Sequence, residues 1–154
     1  MPGAAAATEM PRRRDSTEED SLAEVRSVYR DLSARPVERD CTLRTGCCHF
    51  KLTGKMPYLT RGEALLAARA LKAGGRKTLP VRKDGACPLL DERTARCLIY
   101  EARPLGCRTH FCAAAGGPYA RRAVVDLIRR LEIIDEHLGG DGPRALPSAV
   151  AAVL

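Results

Sequence analysis

The sequence is poor in the large side chains that usually fill a core or stack on nucleotide bases. It has no tryptophan, two phenylalanines and four tyrosines in 154 residues, and much of its hydrophobic fraction is alanine. The longest apolar run, Ala149 to Leu154, is far too short to cross a bilayer. These features leave little room for a collagen, a coiled-coil rod, a large α/β enzyme or a membrane channel.

Several signatures of enzymes and of exported proteins are also missing. The chain has no glycine-rich nucleotide fingerprint, no β-α-β pattern that would hold one, and no arrangement of serine, histidine and acidic residues that suggests a catalytic triad. Near the first residue an alanine run precedes the charged residues, which reverses the order of a secretory signal. We therefore expect a cytoplasmic protein with no membrane partner, whose thiols stay reduced.

Against this background the chain carries seven cysteines. An odd number argues against a closed disulfide framework, so metal ligation or redox chemistry is the better explanation. A bound metal would also stabilise a domain that has few large side chains in its core. The cysteines form two blocks, and we predict all seven as metal ligands: Cys41, Cys47 and Cys48 in the first block, and Cys87, Cys97, Cys107 and Cys112 in the second.

The surroundings of the cysteines suit ligation. Metals bind thiolates, and nearby cations stabilise a thiolate over a thiol. Clustered thiolates select zinc, copper(I) or an iron–sulfur cluster. His49 and His110 lie beside cysteines and are either additional ligands or ordinary exposed or hydrogen-bonded histidines. Gly46 and Gly106 each precede a cysteine and allow sharp turns of the backbone. The cations close to the cysteines in sequence are Arg39, Arg44, Lys51, Arg96, Arg103 and Arg108.

Hydrophobic periodicity predicts a mainly α fold with a short β-hairpin, as a small Cys-rich, metal-nucleated domain flanked by helices. The first helix begins at a capping box of Ser16 and Glu19, and the second at one of Thr60 and Glu63. Glycine pairs end the second and the last helix. The predicted helices are 17–34, 61–73 and 119–138, and the hairpin pairs 87–90 with 97–100 around a loop at 91–95.

The predicted domain organisation has three parts. Residues 1–15 are small, proline-flanked and charged, which is typical of a disordered tail. Residues 16–140 form a single metal-binding cysteine-cluster domain. Residues 141–154 form a C-terminal tail with two prolines and a weakly apolar end.

The second cysteine block resembles a known family. The string from Cys87 to Cys112, Cys-x9-Cys-x-Ile-Tyr-x-x-Arg-Pro-x-x-Cys-Arg-x-x-x-Cys, is similar to bacterial cysteine-cluster proteins named for a Cys-x2-Cys-x2-Cys-Cys motif. That family is described as zinc- or iron-chelating and includes flagellin lysine N-methylases. The resemblance spans roughly residues 41 to 112 and includes Leu59-Thr60-Arg61-Gly62-Glu63, a Leu-Thr lead into an acidic helix start. It implies a zinc or iron centre, or an iron–sulfur cluster.

One position departs from the family motif. Counted from Cys41, the second cysteine of the motif falls at Arg44, and an arginine offers no lone pair to a metal. The position is then either a lost ligand in a structural site or an open position of a working one.

Different functions remain open at this point. The leading hypothesis is a metal-chelating protein (zinc, iron or iron–sulfur), and a metal carrier or sensor would use the same ligands. One alternative is a metal-dependent group-transfer enzyme such as a protein lysine N-methylase. The other is a zinc-ordered nucleic-acid-binding module, which the formal charge of +7 permits. Nucleic acid is not favoured, because aromatic stacking residues are scarce and clustered thiolates would offset part of that charge.

Overall fold

The computed structural model describes residues 13–35, 45–110 and 117–154. These segments are mainly α-helical and also contain two antiparallel strands and several short 3-10 helices. The mainly α fold class is therefore confirmed. The 3-10 helices cover Thr45–Cys48, Tyr100–Ala102 and Arg121–Ala123. The α-helices and strands, in chain order, are α1 (Arg13–Ser33), α2 (Phe50–Thr53), β1 (Tyr58–Leu59), α3 (Arg61–Ala73), α4 (Leu105–Thr109), α5 (Val125–His137), β2 (Arg144–Ala145) and α6 (Leu146–Ala151).

α1 packs a single apolar face against α3 and α5. Leu22 and Val25 are fully buried on this face and Tyr29 is nearly so, as their three- and four-residue spacing predicts. The helix begins at Arg13, earlier than predicted, so Ser16 lies inside the first turns and is not an N-cap. The apolar face is part of a core cluster with α5.

α3 has the bounds that the sequence predicts, Arg61–Ala73. The backbone N–H of Thr60 donates to Oε2 of Glu63 at 2.9 Å, which is the reciprocal half of a capping box. Gly74 follows at the C-cap. Ala64 and Ala67 are buried, and such small side chains let α3 pack closely between the two core clusters.

The C-terminal segment, predicted as a tail from residue 141, packs against the core. β2 pairs with β1, with Tyr58 opposite Ala145. α6 follows β2 directly, and its Leu146 and Val150 are buried in the same cluster as the α3 alanines. Strand pairing therefore brings the end of the chain back to the start of α3.

The β-hairpin predicted at 87–90 and 97–100 is reduced to one antiparallel bridge between Leu90 and Cys97 within the described residues. The N–H of Leu98 donates to the carbonyl of Leu89 at 2.8 Å beside this bridge, whereas the N–H of Cys87 donates to the carbonyl of Cys48 at 2.7 Å. Residues 100–102 continue as a 3-10 helix. The two-stranded sheet of the fold is formed by β1 and β2.

The last long helix begins later than predicted, because a 3-10 helix at Arg121–Ala123 precedes α5 at Val125. Its inward face carries the buried Leu127, Leu131 and Ile134. None of the helices in the described segments combines the length and apolarity that crossing a membrane requires.

Candidate metal centre

A partly open cavity of about 840 Å3 lies between the 3-10 helix at 45–48, the segment before β1, and α4. Five of the seven predicted ligands line it. The other two predicted ligands lie outside the described residues, namely Cys41 and Cys112. The same is true of Arg44, the position that departs from the family motif. The five cysteines on the cavity wall are Cys47, Cys48, Cys87, Cys97 and Cys107, and all of them are free thiols.

The first block reaches the cavity through a tight turn of 3-10 helix that ends at Cys48. The N–H of His49 donates back to the carbonyl of Gly46 at 3.1 Å and closes this turn around Cys47 and Cys48. The carbonyl of Cys48 then accepts the N–H of Cys87. This bond joins the two blocks, although 39 residues of sequence separate their bonded members.

The second block comes from separate pieces of backbone. Cys97 is held by its bridge to Leu90. Cys107 lies on α4, where its N–H donates to the carbonyl of Pro104 at 3.0 Å. The prediction that Gly106 makes a sharp turn is wrong, because Gly106 is helical; a Cβ there would lie 3.2 Å from Cβ of Pro57. The missing side chain instead lets α4 pack against the segment before β1.

The thiols on this cavity wall influence one another's ionisation. Burial raises the pKa of Cys87 to about 11, and the neighbouring Cys97 adds to the increase. Burial also raises the pKa of Cys107, with contributions from Cys87, Cys97 and Cys47. In the pair Cys47 and Cys48, a hydrogen bond between the two sulfurs lowers the pKa of Cys47 and raises that of Cys48. The cavity therefore favours one thiolate beside several protonated thiols in the metal-free protein.

Arg103 acts on three of the thiols, and Arg82 acts on Cys87. Burial raises the pKa of Cys97 and Cys107, and the charge of Arg103 offsets part of that rise. The same charge adds to the lowering of the pKa of Cys47 that its hydrogen bond with Cys48 causes. The Arg103 guanidinium stacks on Tyr100 with its carbon 3.9 Å from the ring centroid, and Nε donates to the carbonyl of Tyr100 at 2.9 Å. A cation fixed in this way stabilises nearby thiolates.

The other cations that the sequence places near the cysteines have different roles. Arg96 lines the cavity. Lys51 packs its aliphatic chain over Gly85. Arg108 stacks on the ring of Tyr29, with its carbon 4.2 Å from the ring centroid. Arg39 and Arg44 lie outside the described residues.

The two candidate histidines differ in position. His110 lines the cavity, and burial lowers its pKa, which favours the neutral imidazole that a metal requires. His49 is not among the described residues that form the wall. Of the two, His110 is therefore the better candidate for an additional ligand.

Apolar side chains that the sequence reading did not connect with the cysteines form the rest of the wall. They come from α2, β1, the segment before it, the 3-10 helix at Tyr100–Ala102 and α6, so no single periodic pattern marks them. Met56 and Tyr58 are 40% and 62% exposed at this surface. Representative wall residues are Phe50, Met56, Tyr58, Tyr100 and Leu146.

The donor set fits a soft metal, because free thiols outnumber every other ligand type on the wall. Across residues 13–35, 45–110 and 117–154, no group of three or more Cys, His, Asp or Glu side chains already has an arrangement that could hold a metal ion. The cysteines therefore share one cavity, but side-chain movement would have to bring the sulfurs to a common point.

The comparison with protein families agrees with the cysteine pattern. The model of the family CxxCxxCC, described as "Putative zinc- or iron-chelating domain", matches residues 38–125, which is more than half of the chain. The chain belongs to the CxxCxxCC family. This membership confirms the resemblance seen in the sequence and supports metal chelation as the general activity. Neither the curated proteins nor the solved structures provide a match to the chain.

Proposed function

We propose that this CxxCxxCC domain binds zinc or iron through thiolates around the cavity. The proposal rests on one observation: five cysteines, from both sequence blocks, line the wall of one cavity. Cys41 and Cys112 belong to the same proposed ligand set. The proposed ligands in the described part are Cys47, Cys48, Cys87, Cys97 and Cys107.

The ionisation of the thiols explains why a metal would bind there. Burial and mutual repulsion keep most of these thiols protonated in the metal-free protein. A divalent ion supplies the positive charge that lets them ionise together, and binding releases their protons. Arg103 contributes part of the same stabilisation. Affinity should therefore rise with pH as the thiols ionise.

The proposed role is structural chelation. One tetrahedral zinc or one four-iron cluster takes four thiolates, so the proposed set contains enough sulfurs for either. A bound metal would join the Thr45–Cys48 turn, the Leu90–Cys97 bridge and α4, which contribute their cysteines from distant parts of the chain. It would add stability to a domain with few large core residues. We also propose the cytoplasm as its compartment, since thiols stay reduced there.

The test is anaerobic purification of the full chain, followed by elemental analysis and a visible absorption spectrum. We expect stoichiometric metal, with colourless protein indicating zinc and brown protein with acid-labile sulfide indicating an iron–sulfur cluster. Removing the metal should lower the melting temperature and the helical content. Metal-free protein with the same melting temperature as metal-treated protein would contradict the proposal.

Ligand identity is tested by Cys87→Ser, with Ile99→Val as the matched control. Both positions are buried on the same wall. The control removes one methylene, at a cost of about 0.5–1.5 kcal/mol of unfolding free energy, and removes no donor atom. We expect Cys87→Ser to lose metal affinity and Ile99→Val to keep it. Equal metal loss in both variants would show that packing, and not the thiol, sets affinity.

A further inference from the structure

The capping glutamate of α3, Glu63, makes contacts beyond its own helix. Its side chain is 3% exposed, and Oε1 accepts the N–H of Leu105 at 2.8 Å and the Tyr29 hydroxyl at 3.4 Å. Oε2 accepts the N–H and the hydroxyl of Thr60 at 2.9 and 3.1 Å. One buried carboxylate therefore joins α1, the start of α3 and the first residue of α4.

The other end of α4 is held by Arg108. Its guanidinium stacks on the Tyr29 ring, and it donates at 2.6 Å to the carbonyls of Arg103 and Glu101. Tyr29 therefore contacts both Glu63 and Arg108. These contacts connect α4 to α1 on the side of Leu105 and on the side of Arg108.

Cys107 lies between these two fixed points. α4 has five residues, little more than one turn, so a short helix of this kind gains little orientation from its own hydrogen bonds. Contacts at Leu105 and Arg108 fix the backbone on both sides of Cys107. The direction in which the Cys107 thiol points then depends on where α4 sits against α1 and α3.

We infer that Glu63 and Arg108, both in contact with Tyr29, are positioning residues that hold the Cys107 thiol toward the metal centre. The inference rests on the proposed function. It gives a role to two sequence features that chelation alone leaves unexplained. They are the glutamate of the Leu59-to-Glu63 segment and the arginine that follows Cys107. Partners of this kind, which orient a ligand without touching the metal, alter metal affinity by about 10- to 100-fold when they are removed.

The experiment follows the labelling of each cysteine by iodoacetamide in the zinc-loaded full chain, using mass spectrometry. In Glu63→Ala we expect Cys107 to react about tenfold faster than in wild type, while the other cavity cysteines stay protected, with zinc affinity lower by about 10- to 100-fold. Arg108→Ala should show the same selective labelling of Cys107. Glu63→Gln keeps an oxygen for the Leu105 N–H and should restore protection of Cys107.

The matched control is Asp135→Asn, a second buried carboxylate that makes no contact with α4 among its described hydrogen bonds. It should lower stability without exposing Cys107. Continued protection of Cys107 in both alanine variants, equal labelling of all cysteines, or equal exposure in Asp135→Asn would overturn the inference. A wild-type chain that holds no zinc or iron would overturn the proposed function as well, whereas loaded wild type with unaffected variants overturns the positioning role alone.

Discussion

Asp135 is expected to contribute more to stability than any surface acid in the described chain. It lies on α5 and is 3% exposed. Its Oδ1 accepts the N–H of Arg61, the first residue of α3, at 2.6 Å, and its Oδ2 accepts the N–H of Gly142 at 2.9 Å. The carboxylate thus fixes the start of α3 and the loop that leads to β2.

The expected cost of Asp135→Ala follows from these two hydrogen bonds. A bond to a charged acceptor contributes about 1.5–3 kcal/mol, and its loss here leaves a partly buried N–H without a partner. Allowing for relaxation and water entry, we expect the free energy of unfolding to fall by about 3–5 kcal/mol. Asp135→Asn keeps one acceptor oxygen and should lose about half as much.

Urea denaturation of the metal-free full chain, followed by circular dichroism, measures this loss. The control is Glu136→Ala, because Glu136 is the neighbouring acid on α5 and is exposed. Substitution there should change the free energy of unfolding by less than about 0.5 kcal/mol. If the free energy of unfolding of Asp135→Ala lies within about 1 kcal/mol of that control, the reasoning is refuted, because losing two buried hydrogen bonds to a carboxylate should cost more than that.

Two further predictions concern the start of α3. Gly62→Ala should destabilise the protein by about 1–3 kcal/mol despite the helix preference of alanine. Its Cβ would lie 2.8 Å from Cγ2 of Val25 and 3.3 Å from Cγ2 of Ile134. The Cβ of Gly46→Ala would have no atom of the described residues within 4 Å, so this control should leave the metal-free melting temperature unchanged. The second concerns pH. Burial raises the pKa of Glu63 above its ordinary 4.5, so the folded chain binds this proton more tightly than the unfolded chain. As pH rises from 4.5 through the raised pKa, wild type should lose stability relative to Glu63→Gln. Urea midpoints measured across that range would contradict the assignment if the difference between the two proteins stays constant.

At the candidate site, the sequence motif predicts the type of ligand but not the orientation of every side chain. Cysteine counting and spacing identify the ligand class, because thiolates are scarce and chemically specific. The sequence also places Arg103 near the cysteines, and the structure shows its charge acting on three of them. The same reasoning cannot separate Arg103 from Arg108, which points toward Tyr29. Proximity in sequence does not determine which face of a short helix a side chain takes.

The predicted β-hairpin forms only in its central part, where Leu90 bridges Cys97 and the N–H of Leu98 donates to the carbonyl of Leu89. Residues 87–90 and 97–100 have the composition of short strands, and in the predicted loop between them the side chain of Asp91 accepts the N–H of Arg93 and the hydroxyl of Thr94. Such local bonds favour a turn over a continued ladder. The N–H of Cys87 is used by Cys48. The N–H of Cys87, at the start of the first predicted strand, therefore bonds outside the hairpin.

Local sequence by itself determined the apolar face of α1, the bounds of α3 with its capping box, and the thiol-rich character of the site. These features depend on contacts a few residues apart, where periodicity and capping preferences act directly. Tertiary structure decided the rest. It paired β1 with β2, placed α6 in the core, and brought Leu105 to Glu63 across 42 residues of sequence. Two-residue strands and a single buried carboxylate carry no periodic signal, because their partners are chosen by how the helices pack and not by the residues beside them.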